Sequence, residues 1–423
     1  MSGNGPVKRP LALQRHTILP LTLLLLLTCQ NHFAETPRPF ERGPLDPAKL
    51  KAAAQQAGFK VRELKADIPA AERPRLPFVT APYTHESLAT LRRQYPLEKL
   101  VAGGHDEWQS QLLLKEWVHK AIPPGSPKVS YNNALEVLEH AARGDAFWCT
   151  HYTITYAECA AALGWQARKV GVDRKHGPEG MGSSHHGVAE VWSNQFRKWV
   201  VMDAQSNLHF EKAGIPLSAW EIRAEWLKDG GKSVDHMVGV PPKAVKKNPA
   251  IAWWDHSEDE TSVYFWMYLE NRLMAAPRGS AETQQLIFLQ DEANADLIWY
   301  QNGDPGTKGS ELHQGYLRNR FLPTRRIEDV YWTVGIVEAT ITGAKQGSIQ
   351  LSLDTYCPNR TGYQVSLDGV RWLPVENDKS VEWPLKVDWN SLRLRTVGQG
   401  NVTGPETSVL MFLEPERALN TRE

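Results

Sequence analysis

The sequence predicts an α+β protein, in which a cysteine-bearing helix packs on an antiparallel sheet and an all-β sandwich follows at the C-terminus. Three observations carry this. Tyr152, Tyr156, Cys159, Ala160 and Leu163 recur at spacings of three and four, which makes one apolar helical face. Residues 187–192 and 197–203 are runs rich in β-branched and aromatic residues, with Ser193-Asn194-Gln195-Phe196 between them, the pattern of a hairpin. From residue 326 onward short alternating runs are divided by turn signals such as Asp368-Gly369 and Gly398-Gln399-Gly400. The 423 residues exceed one ordinary domain.

The N-terminus reads as an address. Lys8, Arg9 and Arg15 precede an apolar run over residues 18–27, too short to span a bilayer and suited to a secretory signal. Leu26-Leu27-Thr28-Cys29 resembles the cleavage site of bacterial lipoproteins, in which Cys29 would carry the lipid. Residues 1–29 are therefore expected to be a leader, and the chain to be exported, either lipid-anchored at the cell envelope or periplasm or freely secreted. Residues 30–84 read as a linker and N-terminal extension. Proline and charge dominate up to residue 49, a short helix is expected over 46–58, and prolines punctuate 69–82.

The catalytic core is expected over residues 85–235. Helices over 85–100 and 105–122 precede the cysteine-bearing helix of residues 150–163. Ala157 and Ala160-Ala161-Ala162 favour that helix, and Gly164 stands where a C-terminal cap belongs. Residues 236–324 read as a β-rich connecting region, with strands over 264–268 and 285–289. Residues 325–415 form the sandwich, with strands over 330–334, 347–353, 363–367 and 391–396. That spacing suggests an immunoglobulin-like or fibronectin-like module, a spacer or binding domain with nothing catalytic in it.

Within the core, Cys149, His186 and Asp203 supply the three groups that nucleophilic cysteine chemistry needs. Cys149 opens its helix, where unbonded N–H groups and the helix dipole favour a thiolate. Cys159, on the apolar face, reads as a small buried hydrophobe. With residues 193–196 as the loop, antiparallel pairing sets Trp192 opposite Arg197, Glu190 opposite Trp199, Val188 opposite Val201 and His186 opposite Asp203. Directly opposed Cβ atoms are about 5 Å apart, within reach of a hydrogen bond between the side chains. His185 would pair with Ala204 and point to the other face, and a slip of one residue would reverse the choice. Taken singly, each residue has an ordinary reading: a core thiol, a structural histidine, a turn-forming aspartate. Together, in this order and at these places, they point to one site.

This stretch resembles the transglutaminase-like superfamily within the papain-like cysteine-enzyme fold. The likeness covers residues 105–225, under a third of the chain, and rests on Cys149, Leu163-Gly164, Ala167-Arg168, His186 four residues before Glu190, and Trp199 four residues before Asp203. Where that family often has Gly-x-Cys, this chain has Phe147-Trp148-Cys149, a bulky pair that narrows the approach to the nucleophile. The resemblance implies acyl transfer. Cys149 would attack an amide or ester carbonyl, His186 would take the thiol proton and return it to the leaving amine, and Asp203 would hold the imidazole. The backbone N–H of Cys149 is a natural oxyanion donor, and Trp117, on an upstream helix of the kind the family has, could be a second or simply a core residue. Water as acceptor gives hydrolysis of a peptide or amide bond, and an amine gives transamidation. The superfamily also contains members without activity.

The remaining signals set bounds. His176, His185, His186, Asp173, Glu179 and Asp203 crowd one segment, and a zinc site is the rival reading; yet no HExxH or CxxC spacing is present, so no metal or cofactor is expected. The glycine-rich stretch between His176 and His185 reads as a loop or a flap at the mouth of the site. Lys plus Arg and Asp plus Glu both count 48, which argues against nucleic acid or an anionic membrane surface as partner. With Cys29 set aside, Cys149, Cys159 and Cys357 remain, an odd number that leaves a free thiol in an oxidising compartment. Sixteen tryptophans suit β-sandwich cores, or sugar stacking if exposed. Two functions follow: an exported cysteine enzyme acting on protein or peptide, cell-wall or glycan-linked material included, or an inactive binding protein on the same fold that recognises glycan or protein.

Overall fold

Strands from the two ends of the chain meet in one sheet. The computed structural model describes residues 43–76, 78–129, 131–174, 185–245, 260–271, 273, 285–294, 320–375 and 380–416. The leader with Cys29, the first part of the linker and the loop holding His176 and Glu179 lie outside the described residues. The first elements are β1 (Gly43–Pro44), α1 (Pro47–Gln56) and β2 (Phe59–Asp67). Asp46 starts α1 by accepting the N–H groups of Ala48 and Lys49, with proline in the first turn. Then come α2 (Glu86–Gln94), α3 (Leu97–Val101), α4 (Glu107–Ala121), α5 (Ala134–Ala141) and α6 (Cys149–Ala162). The single helix expected over 85–100 is divided because Pro96 cannot continue α2.

The central elements are β3 (Ala167–Asp173), β4 (His185–Ser193), β5 (Lys198–Met202), β6 (Leu208–Lys212), β7 (Ile215–Pro216), α7 (Ala219–Asp229), β8 (Asp235–Val238) and β9 (Lys243–Val245). They are followed by β10 (Trp266–Glu270), β11 (Gln285–Leu289) and β12 (Arg320–Thr324). A six-stranded sheet in the order β12-β11-β10-β3-β4-β5 is antiparallel except between β11 and β12. The region read as a β-rich connector thus contributes β10, β11 and β12 to the sheet that carries His186. The helix α6 lies on β3 and β4 with α2, α4 and α5 over its other side. It is buried on every face from His151 to Ala162, beyond the single apolar face its periodicity predicts. Ala189, Val191, Val200 and Met202 point into this helical layer, while Val188, Trp192, Trp199 and Val201 point into a second cluster with Trp332.

The chain ends with β13 (Glu338–Lys345), β14 (Ser348–Asp354), β15 (Arg360–Ser366), β16 (Leu373–Val375), β17 (Ser380–Pro384), β18 (Asp388–Gly398) and β19 (Thr407–Pro415). Two sheets, β1-β13-β14-β17 and β16-β15-β18-β19-β2, share one core in which Ile341, Ile349, Leu351, Leu394, Met411 and Leu413 are buried. Leu50, Ala53 and Ala54 of α1 belong to the same core. The part of the N-terminal extension that holds α1 and β2 thus packs with the C-terminal sheets, with β2 antiparallel to β19. The strand expected over 330–334 is absent; a short 3-10 turn over Ile327–Asp329 leads into irregular chain there. Its carbonyls are used by side chains instead. Arg168 Nη1 donates to the Val330 carbonyl, and Trp199 Nε1 donates to that of Trp332 at 2.7 Å. Mixed α+β architecture holds throughout. Among the described residues no helix is long and apolar enough to cross a membrane.

Candidate active site

Cys149 is the first residue of α6, after an extended Trp148 that contributes no side-chain cap. The thiol thus stands where the helix leaves its first N–H groups without intrahelical partners. The approach is fixed from both sides. Phe147 is buried and exchanges backbone hydrogen bonds with residues 123 and 125, while Trp148 is 56% exposed and donates from Nε1 to Ser126 Oγ at 3.2 Å. The bulky pair therefore divides its labour: Phe147 is buried and anchors the turn, while Trp148 is exposed and held by Ser126. Gly164, with φ +91°, ends the helix as its sequence position predicts.

The hairpin β4–β5 turns one residue later than the sequence count. Ser193 pairs with Lys198, Trp192 with Trp199 and Ala189 with Met202, so the loop is Asn194-Gln195-Phe196-Arg197, not residues 193–196. Two local causes account for this. Arg197 adopts φ +54°, and Glu107, at the start of α4, collects the loop through Ser193 Oγ, Asn194 Nδ2 and the Gln195 N–H. The resulting displacement along the ladder is two residues. Because side chains alternate with a period of two, His186 and Asp203 keep a common face even though they are not directly opposed.

Beyond Met202 the chain closes a tight turn. The backbones of Asp203 and Leu208 bond each other at 3.0 and 2.9 Å, and Asp203 Oδ1 accepts the Ser206 N–H at 3.1 Å. Its Oδ2 lies 2.9 Å from His186 Nε2. His186 and Asp203 are 4% and 3% exposed, so the bond is shielded from water. Burial works against the charge on the imidazole, but the charge and hydrogen bond of Asp203, together with Cys149, raise its pKa to about 10. Burial likewise opposes ionisation of the thiol. The hydrogen bond and charge of His186, the charge of His185 and a bond from the Gly187 backbone outweigh it and lower Cys149 to about 7. Burial also pushes Asp203 up, and His186 and Ser206 hold it below the ordinary carboxylate value. These shifts favour a thiolate–imidazolium pair oriented by a carboxylate.

Gly187 was not singled out by sequence. A Cβ there would lie 3.3 Å from Thr153 Oγ1 and 3.5 Å from the Thr150 backbone, so a bare backbone lets β4 approach the start of α6. His185 points elsewhere: its Nδ1 is 3.2 Å from Asp173 Oδ1, and its ring stacks on Tyr268 at 6.0 Å. Trp117 does not join the site. Lys115, two residues earlier, reaches Asn207 and His209 beside the Asp203 turn, and a step of two residues is about 200° around a helix. Trp117 faces away from that turn, edge-on to Tyr95 and lining a surface hollow with Pro96, Leu97 and Leu100. It is a packing residue rather than an oxyanion donor. Cys159 is fully buried, and burial raises its thiol well above the ordinary range; burial pushes Cys357 up to about 11, and both are free thiols. Among the described residues no group of three or more His, Cys, Asp and Glu is arranged to hold a metal ion. No family model and no curated protein matches the chain.

Proposed function

We propose that the protein is an exported cysteine enzyme of the transglutaminase-like type, with a papain-like core and an immunoglobulin-like sandwich, that hydrolyses peptide or amide bonds by acyl transfer. The observation that carries the reading is the contiguity of Cys149, His186 and Asp203, with the thiol lowered to about 7 and the imidazole raised to about 10.

The thiolate of Cys149 attacks the amide carbonyl carbon. The oxyanion that forms accepts from the Cys149 backbone N–H at the start of α6. As the C–N bond breaks, the His186 imidazolium delivers its proton to the leaving nitrogen, which leaves a thioester on Cys149 and a neutral imidazole. Water then gives a proton to His186 and attacks the thioester, the carboxylic acid departs, and the thiolate–imidazolium pair is restored. Asp203 keeps the ring oriented and its charge compensated in both halves. An amine in place of water would give transamidation.

The test is alkylation of Cys149 by iodoacetamide across pH, alongside hydrolysis of a mixed-sequence peptide library with wild type and Cys149→Ala. Alkylation that saturates near neutral pH and cleavage lost in Cys149→Ala are expected. A thiol that titrates in the ordinary range, with no cleavage, would leave the binding-protein reading on the same fold. Incorporation of a labelled amine into a glutamine donor would move the assignment from hydrolase to transamidase.

A further inference from the structure

Lys115 lies on α4 with no exposed surface, deep beside the turn that presents Asp203. Its Nζ donates to the Asn207 carbonyl at 3.0 Å and to His209 Nδ1 at 3.1 Å. The His209 Nε2 lies 2.9 Å from Glu211 Oε1, so the ring donates to the carboxylate and accepts from the lysine. His209 is itself fully buried, edge-on to Trp108 at 5.1 Å. Asn207 closes the Asp203–Leu208 turn in a left-handed conformation, φ +51°, that a non-glycine residue rarely adopts. The Asn207 carbonyl that Lys115 holds also accepts from Gly239 at 3.2 Å.

Burying an ammonium is costly, and an apolar residue of similar volume would commonly be neutral or stabilising in its place. Stability is therefore a poor explanation for Lys115. Its position offers another. The charges that bear on it are Asp203, Glu116 and Glu211, which oppose the burial that draws its pKa down to about 7; Glu116 is on its own helix, and the other two flank the turn. Its charge in turn helps to lower His209 to about 4, after burial, which keeps that ring neutral and able to accept.

We propose that Lys115, backed by His209 and Glu211, is the positioning residue of the site: it clamps the Asn207 carbonyl so that the Asp203 carboxylate stays aimed at His186. The proposal rests on the Cys149–His186–Asp203 reading. It makes the carboxylate's aim depend on an element, α4, that contributes no group to the reacting atoms.

The pH dependence of Cys149 alkylation and the steady-state kinetics of peptide hydrolysis would be compared for wild type, Lys115→Met, Lys115→Gln and Glu211→Gln, each checked by circular dichroism. Wild type first tests the parent reading: a Cys149 titration in the ordinary thiol range would overturn that reading, and this proposal with it. Given a lowered wild-type midpoint, Lys115→Met should move it upward and reduce kcat by up to about a hundredfold, the scale of a misplaced catalytic group, with KM unchanged. Lys115→Gln, which can still donate to Asn207, should recover part of that loss. Glu211→Gln, at a partly exposed side chain, should move the midpoint in the same direction by less, which keeps the test intact if Lys115→Met does not fold. Folded Lys115 or Glu211 variants with the wild-type midpoint and kcat would overturn the proposal.

Discussion

His186 Nε2 and Asp203 Oδ2 meet at 2.9 Å across a diagonal of the β4–β5 ladder, not across a directly opposed pair. Met202, the last residue of β5, faces Ala189, so Asp203 sits one step beyond it and reaches obliquely to the histidine. A carboxylate in that place is aimed by its turn as much as by the sheet.

The lowered thiol and raised imidazole define a window. On the proposed mechanism, Cys149 keeps its proton below about 7 and does not attack, and towards about 10 His186 loses the proton that a leaving amine would take. The pH profile of kcat/KM should therefore rise through the first value and fall through the second. In His186→Asn the rising limb should move into the ordinary thiol range, which alkylation rates would follow directly.

Asp203→Asn should keep the turn and lose the charge, with kcat lower by up to about 10⁴-fold. Stability carries a separate signature. Although burial opposes it, His186 holds the Asp203 carboxyl below its ordinary value of 3.8, so its contribution is present above that value and vanishes as pH falls through the lower folded value. Thermal melts should show wild type more stable than Asp203→Asn at pH well above 3.8, with the gap closing in stronger acid.

Much of this site was legible in the sequence, and the reasons are local. Helix periodicity and Gly164 place Cys149 at a helix start, and strand parity selects His186 over His185. The register was not legible, because Glu107 gathers the hairpin loop from another helix and Arg197 takes a left-handed backbone that its residue type does not announce. Lys115 gave no signal either, since a lysine in an amphipathic stretch reads as surface. The C-terminal strands alternate clearly, as in β18 and β19, whereas β2 is largely polar and depends on β19 for its place.

Replacing Gly187 should grade the approach of β4 to α6. The 3.3 Å contact of an added Cβ with Thr153 Oγ1 must be relieved by movement. Activity should fall in the order Gly, Ala, Val, and Thr153→Ala should recover part of the loss in Gly187→Ala. Steady-state kinetics of the double-mutant cycle would check this, with additive losses counting against it.

Arg168 and Glu190 form an ion pair with no exposed surface at either side chain. Glu190 also accepts from the Ala219 N–H and the Tyr331 hydroxyl, and the guanidinium lies 4.0 Å from the Trp199 ring centroid. Arg168→Met leaves the carboxylate buried without its cation and should cost about 3–5 kcal/mol in urea unfolding, whereas Arg168→Met with Glu190→Leu should cost much less.

The antiparallel union of β2 with β19 joins strands that lie far apart in the sequence. Synthesis delivers β2 early and its partner strand only at residues 407–415, with the region that holds Cys149, His186 and Asp203 between them. A nascent chain halted before Thr407 holds β2 with no strand to join, however well the intervening helices have packed. Closure of the terminal sheet therefore waits on Thr407–Pro415, and until that strand is made the edge that β2 offers to it stays open.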